Sequence, residues 1–539
     1  MFKALKISKG VNIFVLSFIV FILFINLTFC QSINSVLSRP ELTWTDKNED
    51  ESYVARHEFG FVQVGDKFIM FGGRESSQVL DIYDYATNSW SNGGMAPIEF
   101  NHFQAVTYEG LVWVIGAFKD NNFPIEVPAD YIYMYNPASQ EWIQGMEIPV
   151  ARKRGANGLA VYNNKFYIVG GNNIGHDSGY VPYLDEFDPE TGIWTTLSDA
   201  PRSRDHFHAT IHNDKLYAIG GRLSGGAGGV FSPQIDEVDV YDFNTSLWST
   251  LGASSNIPTT RAGTGNVLFE DEIYVIGGEG GDPNTQTDVV EAFNPLTNTW
   301  TTKSSLNYAR QGIQAIVSGD GIHVAGGSLF GTSMKNMEVY GIDNPSGSSN
   351  VNSVFASDVT TKSFTYDISD GSVSLNISLS NTLGTTGTYI KSVTISGTNY
   401  SLDENYNNRL LGVNKNLMID FTLNDTTQPE SAGNIEITYN NISTINIVLE
   451  GTLSTFSVND LDEEHSINIY PNPVIDLFSL NRNTTTLSIY NISGQLVKAF
   501  NGRFSKDTNF DVSKLTTGLY FLEATNELND KQLLKMVKF

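Results

Sequence analysis

Cysteine and positive charge are both scarce in this chain. Of its 539 residues one is a cysteine, Cys30, and 33 Lys and Arg stand against 59 Asp and Glu, a formal net charge of −26. A single thiol excludes intramolecular disulfides and thiolate metal sites. The acidic balance argues against nucleic acid or an anionic membrane surface as the general partner. The length exceeds what one hydrophobic core supports, so several domains are expected.

Long apolar runs are scarce as well, and the one that stands out lies at the N-terminus. Three lysines precede an uncharged stretch from Val11 to Phe29, and the small residues Thr28 and Cys30 precede Gln31. This pattern is typical of a signal peptide, so we expect residues 1–30 to be removed, which leaves no membrane span and no cysteine nucleophile. Because the run is long for a signal peptide, a retained membrane anchor is the alternative.

Internal repetition is what the chain has in abundance. Five stretches share one formula: an aromatic residue, Asp or Asn, two residues, Thr or Ser, two residues, and tryptophan. The tryptophans are Trp90, Trp142, Trp194, Trp248 and Trp300. They recur at intervals of about 50 residues, a length that indicates one supersecondary unit per repeat.

A second signal is in register with the first. A Gly-Gly pair, or Gly116-Ala117 in the second unit, ends an apolar run in each of six units. In five units an arginine stands 16 residues before the first glycine, and Phe100 takes its place in the other. The five arginines are Arg56, Arg154, Arg204, Arg261 and Arg310. The pattern predicts six units of four short strands each.

The sixth unit has no tryptophan after its aromatic residue, Tyr340, and the missing one stands upstream of the first unit as Trp44. A ring of blades closes well when the N-terminal strand completes the last blade, because no sheet edge then remains open. We therefore expect Trp44 to lie beside the strand of Tyr340.

Arginine, Gly-Gly, aromatic and Trp recurring together resemble the kelch repeat, so residues 41–345 are predicted to form a six-bladed kelch β-propeller. The fold class expected for the whole chain is all-β. Galactose oxidase, an enzyme on a kelch propeller, uses copper beside a tyrosine crosslinked to cysteine. The mature chain has no cysteine with which to build that centre.

Two further regions follow the repeats. Residues 352–455 alternate apolar and polar residues, predict a β-sandwich, and are weakly similar to bacterial immunoglobulin-like domains; a spacer and a ligand-binding domain are both compatible with them. Residues 466–539 contain Ile469-Tyr470-Pro471-Asn472-Pro473 and resemble the type A sorting domain of type IX secretion substrates. That resemblance implies a small sandwich, contact with the type IX machinery, and export to the cell surface or medium, with removal of the tag.

The arginines are the first candidate site residues. Up-and-down tracing places them on the same face as the loops after each Gly-Gly, and loops on a rigid scaffold often carry function. Five arginines around the mouth of the propeller would suit a carboxylate or sulfate ligand. The alternative is that they brace neighbouring blades, since arginine recurs at this position in kelch repeats.

Residues shortly after the arginine positions are the second set of candidates. Glu58 and His102 each stand two residues after the arginine position of their unit. They would lie on neighbouring blades as an acid/base pair or as packing partners. His206 and His208 are predicted to share a strand face and to contact ligand. A metal would need a third ligand, for which His57 or His102 is available. We predict no metal and no cofactor.

The preferred functional hypothesis is a noncatalytic surface protein whose kelch face binds a glycan or an extracellular protein. The sequence contains no complete catalytic constellation. The loop 172–183, with Asn173, His176, Asp177 and Tyr180, is predicted to contact a sugar. The alternative is a carbohydrate enzyme, either a mutarotase or epimerase resembling N-acetylneuraminate epimerase or a polysaccharide lyase, with Glu58 and His102 in catalysis.

Overall fold

The computed structural model describes residues 42–47, 52–74, 78–281, 285–454, 466–527 and 530–539. The chain divides into two compact units, Met1–Thr452 and Leu453–Phe539. The described residues of both units form β-strands, as expected for an all-β chain, and among them two single-turn 3₁₀ helices occur, Val150–Arg152 and Ala253–Ser255. The predicted signal peptide, residues 1–30, lies outside the described residues.

Six four-stranded antiparallel sheets form the blades of the propeller. Blade 1 contains Phe59–Val64, Lys67–Gly72, Val79–Asp84 and Ser89–Met95. Blade 2 contains Val106–Tyr108, Leu111–Val114, Tyr131–Asn136 and Glu141–Glu147. Blade 3 contains Gly158–Tyr162, Lys165–Val169, Leu184–Asp188 and Ile193–Thr196.

The remaining blades repeat this order. Blade 4 contains Ala209–His212, Lys215–Ala218, Asp239–Asp242 and Leu247–Thr250. Blade 5 contains Gly265–Phe269, Glu272–Ile276, Val290–Asn294 and Thr299–Thr302. Blade 6 contains Ala315–Ser318, Gly321–Ala325, Met337–Gly341 and the N-terminal strand Trp44–Asp46. A short hairpin, Ser328–Leu329 with Thr332–Ser333, extends from blade 6.

The seam of the ring is closed as the sequence predicts. Trp44 lies opposite Tyr340 in an antiparallel pair, and the two rings are 5.4 Å apart. The Trp44 indole N–H also donates to the carbonyl of Ser304, at 3.0 Å. Because the fourth strand of blade 6 comes from the other end of the propeller sequence, both ends are held in one sheet.

The recurring formula corresponds to one turn and one cross-strand aromatic pair. In blade 1, the Asp84 carboxylate accepts the backbone N–H groups of Ala86 and Thr87, an Asx turn between the third and fourth strands. The turn sets Tyr83 opposite Trp90, with ring centroids 5.1 Å apart. The same aromatic pair occurs in blades 2 to 5. Cross-strand aromatic pairs stabilise a sheet locally, which explains why the formula repeats in each blade.

Residues 354–453 form a β-sandwich of a four-stranded and a five-stranded sheet. The first contains Val354–Ser357, Val373–Thr382, Lys415–Leu423 and Tyr400–Leu402. The second contains Thr361–Tyr366, Ser443–Leu453, Glu430–Tyr439, Thr388–Ser396 and Arg409–Leu411. Its core is the face that the alternating sequence predicts, with Ile377, Ile419 and Ile447 fully buried.

The sandwich packs firmly against the propeller. Tyr389 and Leu410 of the sandwich share a hydrophobic cluster with Ile132 and Ile143 of blade 2. Glu109, in a turn of blade 2, accepts the N–H of Val413 at 2.7 Å. The Glu109 contact lies at the end of blade 2 opposite the Gly-Gly loop, because connections in an antiparallel blade alternate between its two ends. Tyr389 packs along the blade and extends to Ile132. Propeller and sandwich therefore form one compact unit, and the Gly-Gly end of the propeller stays open within that unit.

The C-terminal unit contains a three-stranded and a four-stranded sheet. The strands are Ile469–Tyr470, Leu477–Leu480 and Phe510–Asp511 in the first and Leu496–Phe504, Thr484–Asn491, Gly518–Thr525 and Lys531–Lys538 in the second. Phe478, Ile489 and Leu522 belong to its buried core. Across the described part of the chain, no helix has the length and apolar character needed to traverse a bilayer.

Candidate functional site

The five repeat arginines are buried, each with at most 1% of its surface exposed. Each forms an ion pair with a carboxylate on the third strand of its own blade. The pairs are Arg56 with Asp81, Arg154 with Asp185, Arg204 with Asp239, Arg261 with Glu291, and Arg310 with Glu338. The prediction of a cationic ring at the mouth of the propeller is therefore corrected. The five arginine side chains stabilise their blades from within, and their charges are paired with carboxylates.

The constant spacing of 16 residues has a direct physical cause. Each guanidinium donates to the carbonyl of the first glycine of its Gly-Gly pair, for example Arg154 to Gly170 at 2.7 Å and Arg310 to Gly326 at 2.7 Å. The glycines have positive φ, where a side chain is strained. A Cβ on Gly170 would also lie 2.5 Å from the carbonyl oxygen of Arg204 in the next blade. The arginine and the Gly-Gly pair therefore recur together because they form one hydrogen-bonded structural unit in each of these blades.

Blade 2 replaces both members of the ion pair at once. Phe100 stands in the arginine position, and Tyr133 stands where the other blades have the carboxylate, two residues before the aromatic of the formula. The two rings meet edge to face at 5.2 Å. An uncharged aromatic pair therefore takes the place of the ion pair in blade 2, which avoids the desolvation cost of burying two charges.

A closed belt of backbone hydrogen bonds surrounds the propeller axis. Six residues, one per blade, each donate a backbone N–H to the carbonyl of the equivalent residue in the preceding blade, at 2.6–3.0 Å, and all six have positive φ. They are Glu58, His102, Ala156, His206, Gly263 and Gly312. Each of these six residues stands two positions after the arginine position of its unit. The belt places them at the axis, on the Gly-Gly side of the blades.

Glu58 and His102 meet at this belt, as the sequence predicts for neighbouring blades. Glu58 Oε1 lies 3.7 Å from His102 Nε2. The axial cavity that both residues line measures about 20 Å³, which suits about one water and no sugar ring. The pair therefore faces a confined space beneath the belt.

His206 and His208 do not share a strand face, contrary to the prediction, although both line the axial cavity. His206 belongs to the belt, with φ of 55°, and the first strand of blade 4 starts only at Ala209. Strand alternation therefore does not apply between the two histidines. His208 lines the axial cavity, and burial lowers its pKa to about 4. His57, one of the suggested third ligands, instead lies with its Nδ1 2.9 Å from the hydroxyl of Ser333.

A third histidine, His176, completes a cluster with His102 and His206. It comes from the loop after Gly170-Gly171, which is bound to the equivalent loop of blade 2 by the His176 N–H to Pro124 carbonyl bond, at 2.6 Å. The three imidazole rings are 4.8–4.9 Å apart between centroids. Sequence reasoning placed His176 only in a sugar-contacting loop, because no periodicity reveals where a long loop folds.

Burial and nearby cations favour the neutral form of two of these histidines, His102 and His176. Burial, and then the charge of Arg74, hold the pKa of His102 well below its usual range. Burial, followed by the neighbouring His206 and Arg222, does the same for His176. Burial also raises the pKa of the Glu126 carboxyl to about 7, although its ion pair with Arg74 opposes the shift.

An exposed apolar surface lies beside the histidine cluster. Ile125 and Ile174, on the paired loops of blades 2 and 3, are 54% and 37% exposed. Phe123, 52% exposed, has its ring 5.1 Å from that of His176. Val127 extends the same surface, with 45% exposed. We call Phe123, Ile125, Val127 and Ile174 the apolar patch.

Comparisons with known proteins agree with the blade architecture. Residues 145–327 match the family described as KLHDC2/KLHL20/DRC7 Kelch-repeats domain. Kelch-like protein terF of Aspergillus terreus is 27% identical over 51% of this chain and 61% of its own length. Human Kelch-like protein 23 is 26% identical over 49% of this chain and 44% of its own length. The chain thus spans about half the length of these relatives.

A solved structure, that of YjhT, aligns with 55% of this chain and 98% of its own, at 16% identity and a TM-score of 0.47. At the other end, residues 468–538 match the secretion system C-terminal sorting domain. This match indicates export through the type IX system to the cell surface or medium. The chain therefore carries a kelch-repeat propeller and, at its C-terminus, a secretion-system sorting domain.

Proposed function

We propose that this exported protein is a noncatalytic binding module whose propeller binds an extracellular protein through the apolar patch. The observation that carries the proposal is the patch itself, four large apolar side chains that are exposed on two paired loops. Contiguous exposed apolar surface is a common feature of protein interaction sites. The sandwich covers the opposite end of blade 2, so the patch lies on the propeller face that the unit leaves open.

A protein fits this surface better than a glycan does. The case for an anionic glycan rested on a ring of arginines, and those arginines are buried in ion pairs. The axial cavity of about 20 Å³ is too small for a sugar ring. Three of the four patch side chains are aliphatic and offer little to a sugar, which stacks on aromatic rings such as that of Phe123 and hydrogen-bonds to polar groups.

The test compares two sets of substitutions in the full chain. The patch variant is Phe123→Ser/Ile125→Ser/Ile174→Ser. The control variant, Leu247→Ser/Leu296→Ser, removes apolar side chains that are 65% and 90% exposed at the other end of blades 4 and 5. We expect the patch variant to capture its partner from the exported proteins of the producing cells at least about tenfold less well, a loss of about 1.4 kcal/mol, because central apolar contacts dominate such interfaces.

The control variant should capture the partner as the unaltered chain does, and circular dichroism should show that both variants fold. Equal capture by the patch variant, or loss of capture in the control alone, contradicts the proposal. A glycan array run in parallel separates the two ligand classes. Binding on the array that the patch substitutions abolish would reassign the surface to a sugar.

A carbohydrate enzyme is the second candidate, favoured by the 3.7 Å approach of Glu58 to His102. A carboxylate beside a neutral imidazole can exchange a proton with a substrate. NMR of anomer exchange and a lyase assay on uronate polysaccharides test this, each repeated with Glu58→Gln and His102→Ala. Turnover that both changes abolish would establish the enzyme, and turnover that neither changes would remove the pair from the mechanism.

A further inference from the structure

Three histidines from three different blades converge at the propeller axis. His102 and His206 are belt residues of blades 2 and 4, and His176 comes from the loop of blade 3. All three are at least 95% buried, and one ring nitrogen from each lies within 4.8 Å of those from the other two. We propose that His102, His176 and His206 bind one divalent transition-metal ion, with zinc as the best fit.

The hydrogen bonds of the three rings set their tautomers. Nδ1 of His206 faces the Asp205 carboxylate, and Nδ1 of His176 faces the Glu126 carboxylate at 2.9 Å. An ionised carboxylate accepts hydrogen bonds and donates none. Opposite an ionised Asp205 or Glu126, each of these Nδ1 atoms therefore carries the proton and leaves a lone pair on Nε2. Carboxylates in this position are the usual outer partners of metal-binding histidines, since they orient the ring and raise its basicity.

His102 follows the same rule with an amide in place of a carboxylate. The Asn101 side-chain amide group donates its N–H to the carbonyl of Asp120, so its oxygen faces Nδ1 of His102 as an acceptor. Within the described residues, Nε2 of His102 and Nε2 of His206 are buried without a hydrogen-bond partner. A buried polar atom left unpaired destabilises the folded state, and a bound metal ion would remove that penalty.

The ligand set and the local charge both suit zinc. Three imidazole nitrogens with an open fourth position are a common zinc arrangement, with bonds of about 2.0–2.1 Å that would bring the nitrogens to roughly 3.4 Å from one another. Glu58, 3.7 Å from His102 Nε2, stands close enough to serve as the fourth ligand or to hold a water there. Six charged side chains are linked to the cluster directly or through one or two ion pairs, four carboxylates and two arginines: Glu58, Glu126, Asp205, Glu279, Arg74 and Arg222. When ionised they leave two negative charges, which one dication neutralises.

The metal would also fasten the loops that carry the apolar patch. His176 is two residues from Ile174, and its ring contacts Phe123. A bond between His176 and the belt would therefore fix the patch relative to the blades. The metal proposal does not depend on the proposed function, because metal binding is measured without any partner.

The experiment uses the full chain purified without a histidine tag, stripped with a chelator, and titrated with zinc by calorimetry. We expect one zinc per chain and a higher melting temperature in the loaded protein, because an ion that binds the folded state stabilises it. His102→Ala and His206→Ala should each weaken zinc binding at least 100-fold. Alanine is tolerated in the belt, as Ala156 shows with φ of 53°.

His208→Ala is the matched control, since among the described residues His208 also has a buried ring nitrogen without a hydrogen-bond partner but lies outside the cluster. It should retain one zinc per chain. If the cluster variants do not fold, visible absorption of the cobalt(II)-loaded wild-type chain decides, because a four-coordinate site gives intense bands. No stoichiometric binding, no such bands, or equal loss in His208→Ala would overturn the proposal.

Discussion

Replacing Arg310 by alanine is expected to lower the free energy of unfolding by about 3–5 kcal/mol, because the change strands a buried charge. Arg310 and Glu338 are both fully buried, and the guanidinium Nη2 lies 2.6 Å from a carboxylate oxygen. The same guanidinium donates to the carbonyls of Gly326 and Asn336. Burial lowers the pKa of Arg310 and raises that of Glu338, so each group relies on the other to stay charged. Denaturant unfolding measures the loss.

Two further variants make this result specific. Lys67→Ala removes a cation of an ion pair in blade 1 that is about one-third exposed, and it should cost no more than about 1 kcal/mol. Arg310→Phe/Glu338→Tyr copies the Phe100 and Tyr133 pair of blade 2 and should be closer in stability to the unaltered chain than Arg310→Ala is. A cost for Arg310→Ala as small as that of Lys67→Ala would show that the arginines are not braces.

Trp44→Ala is expected to be comparably damaging, with a loss of about 3–5 kcal/mol from removing a large buried ring. Trp44 is 5% exposed, packs on Tyr340, and belongs to the strand that closes blade 6. Loss of the Trp44 ring should also weaken the pairing of the N-terminal strand with Met337–Gly341. Amide hydrogen exchange should therefore rise selectively in Met337–Gly341.

Trp300→Ala is the control for this prediction. Trp300 makes the same aromatic pair with Phe293 in blade 5, at 5.1 Å, but its blade is continuous in sequence. Its replacement should leave the exchange of Met337–Gly341 unchanged. Exchange at the seam that responds equally to both changes would contradict closure by the Trp44 strand.

The blade architecture was predictable because its determinants are local and repeated. The pairing of Tyr83 with Trp90 depends on a turn of a few residues, so the formula predicts the strands and their register wherever it occurs. The seam followed from the same formula, since the strand of Tyr340 lacked a partner that only Trp44 could supply. Neither step needed knowledge of long-range packing.

The burial of the arginines in ion pairs is also predictable from the sequence. An acidic residue stands two positions before the aromatic in each repeat that has the arginine, for example Asp185 before Phe187. In the second repeat, Phe100 and Tyr133 replace both members together. Joint replacement of this kind indicates contact, and contact with a carboxylate predicts burial in an ion pair.

The histidine cluster could not be predicted in the same way. His176 reaches the axis because its loop pairs with the loop of blade 2, and pairing between irregular loops has no period in the sequence. His206 lies outside the first strand of blade 4 because the belt imposes a positive φ on a residue that the sequence predicts to be part of that strand. Both features depend on neighbouring blades, so a single repeat does not reveal them.

Partner docking on the Gly-Gly face of the propeller can be tested with a photo-crosslinking amino acid at position 125, in the apolar patch. The exported chain is irradiated on the cells that produce it. We expect a discrete covalent adduct with one protein from position 125 and none from position 296, at the other end of blade 5. Adducts from position 296 alone, or no adduct from position 125, would contradict docking on this face.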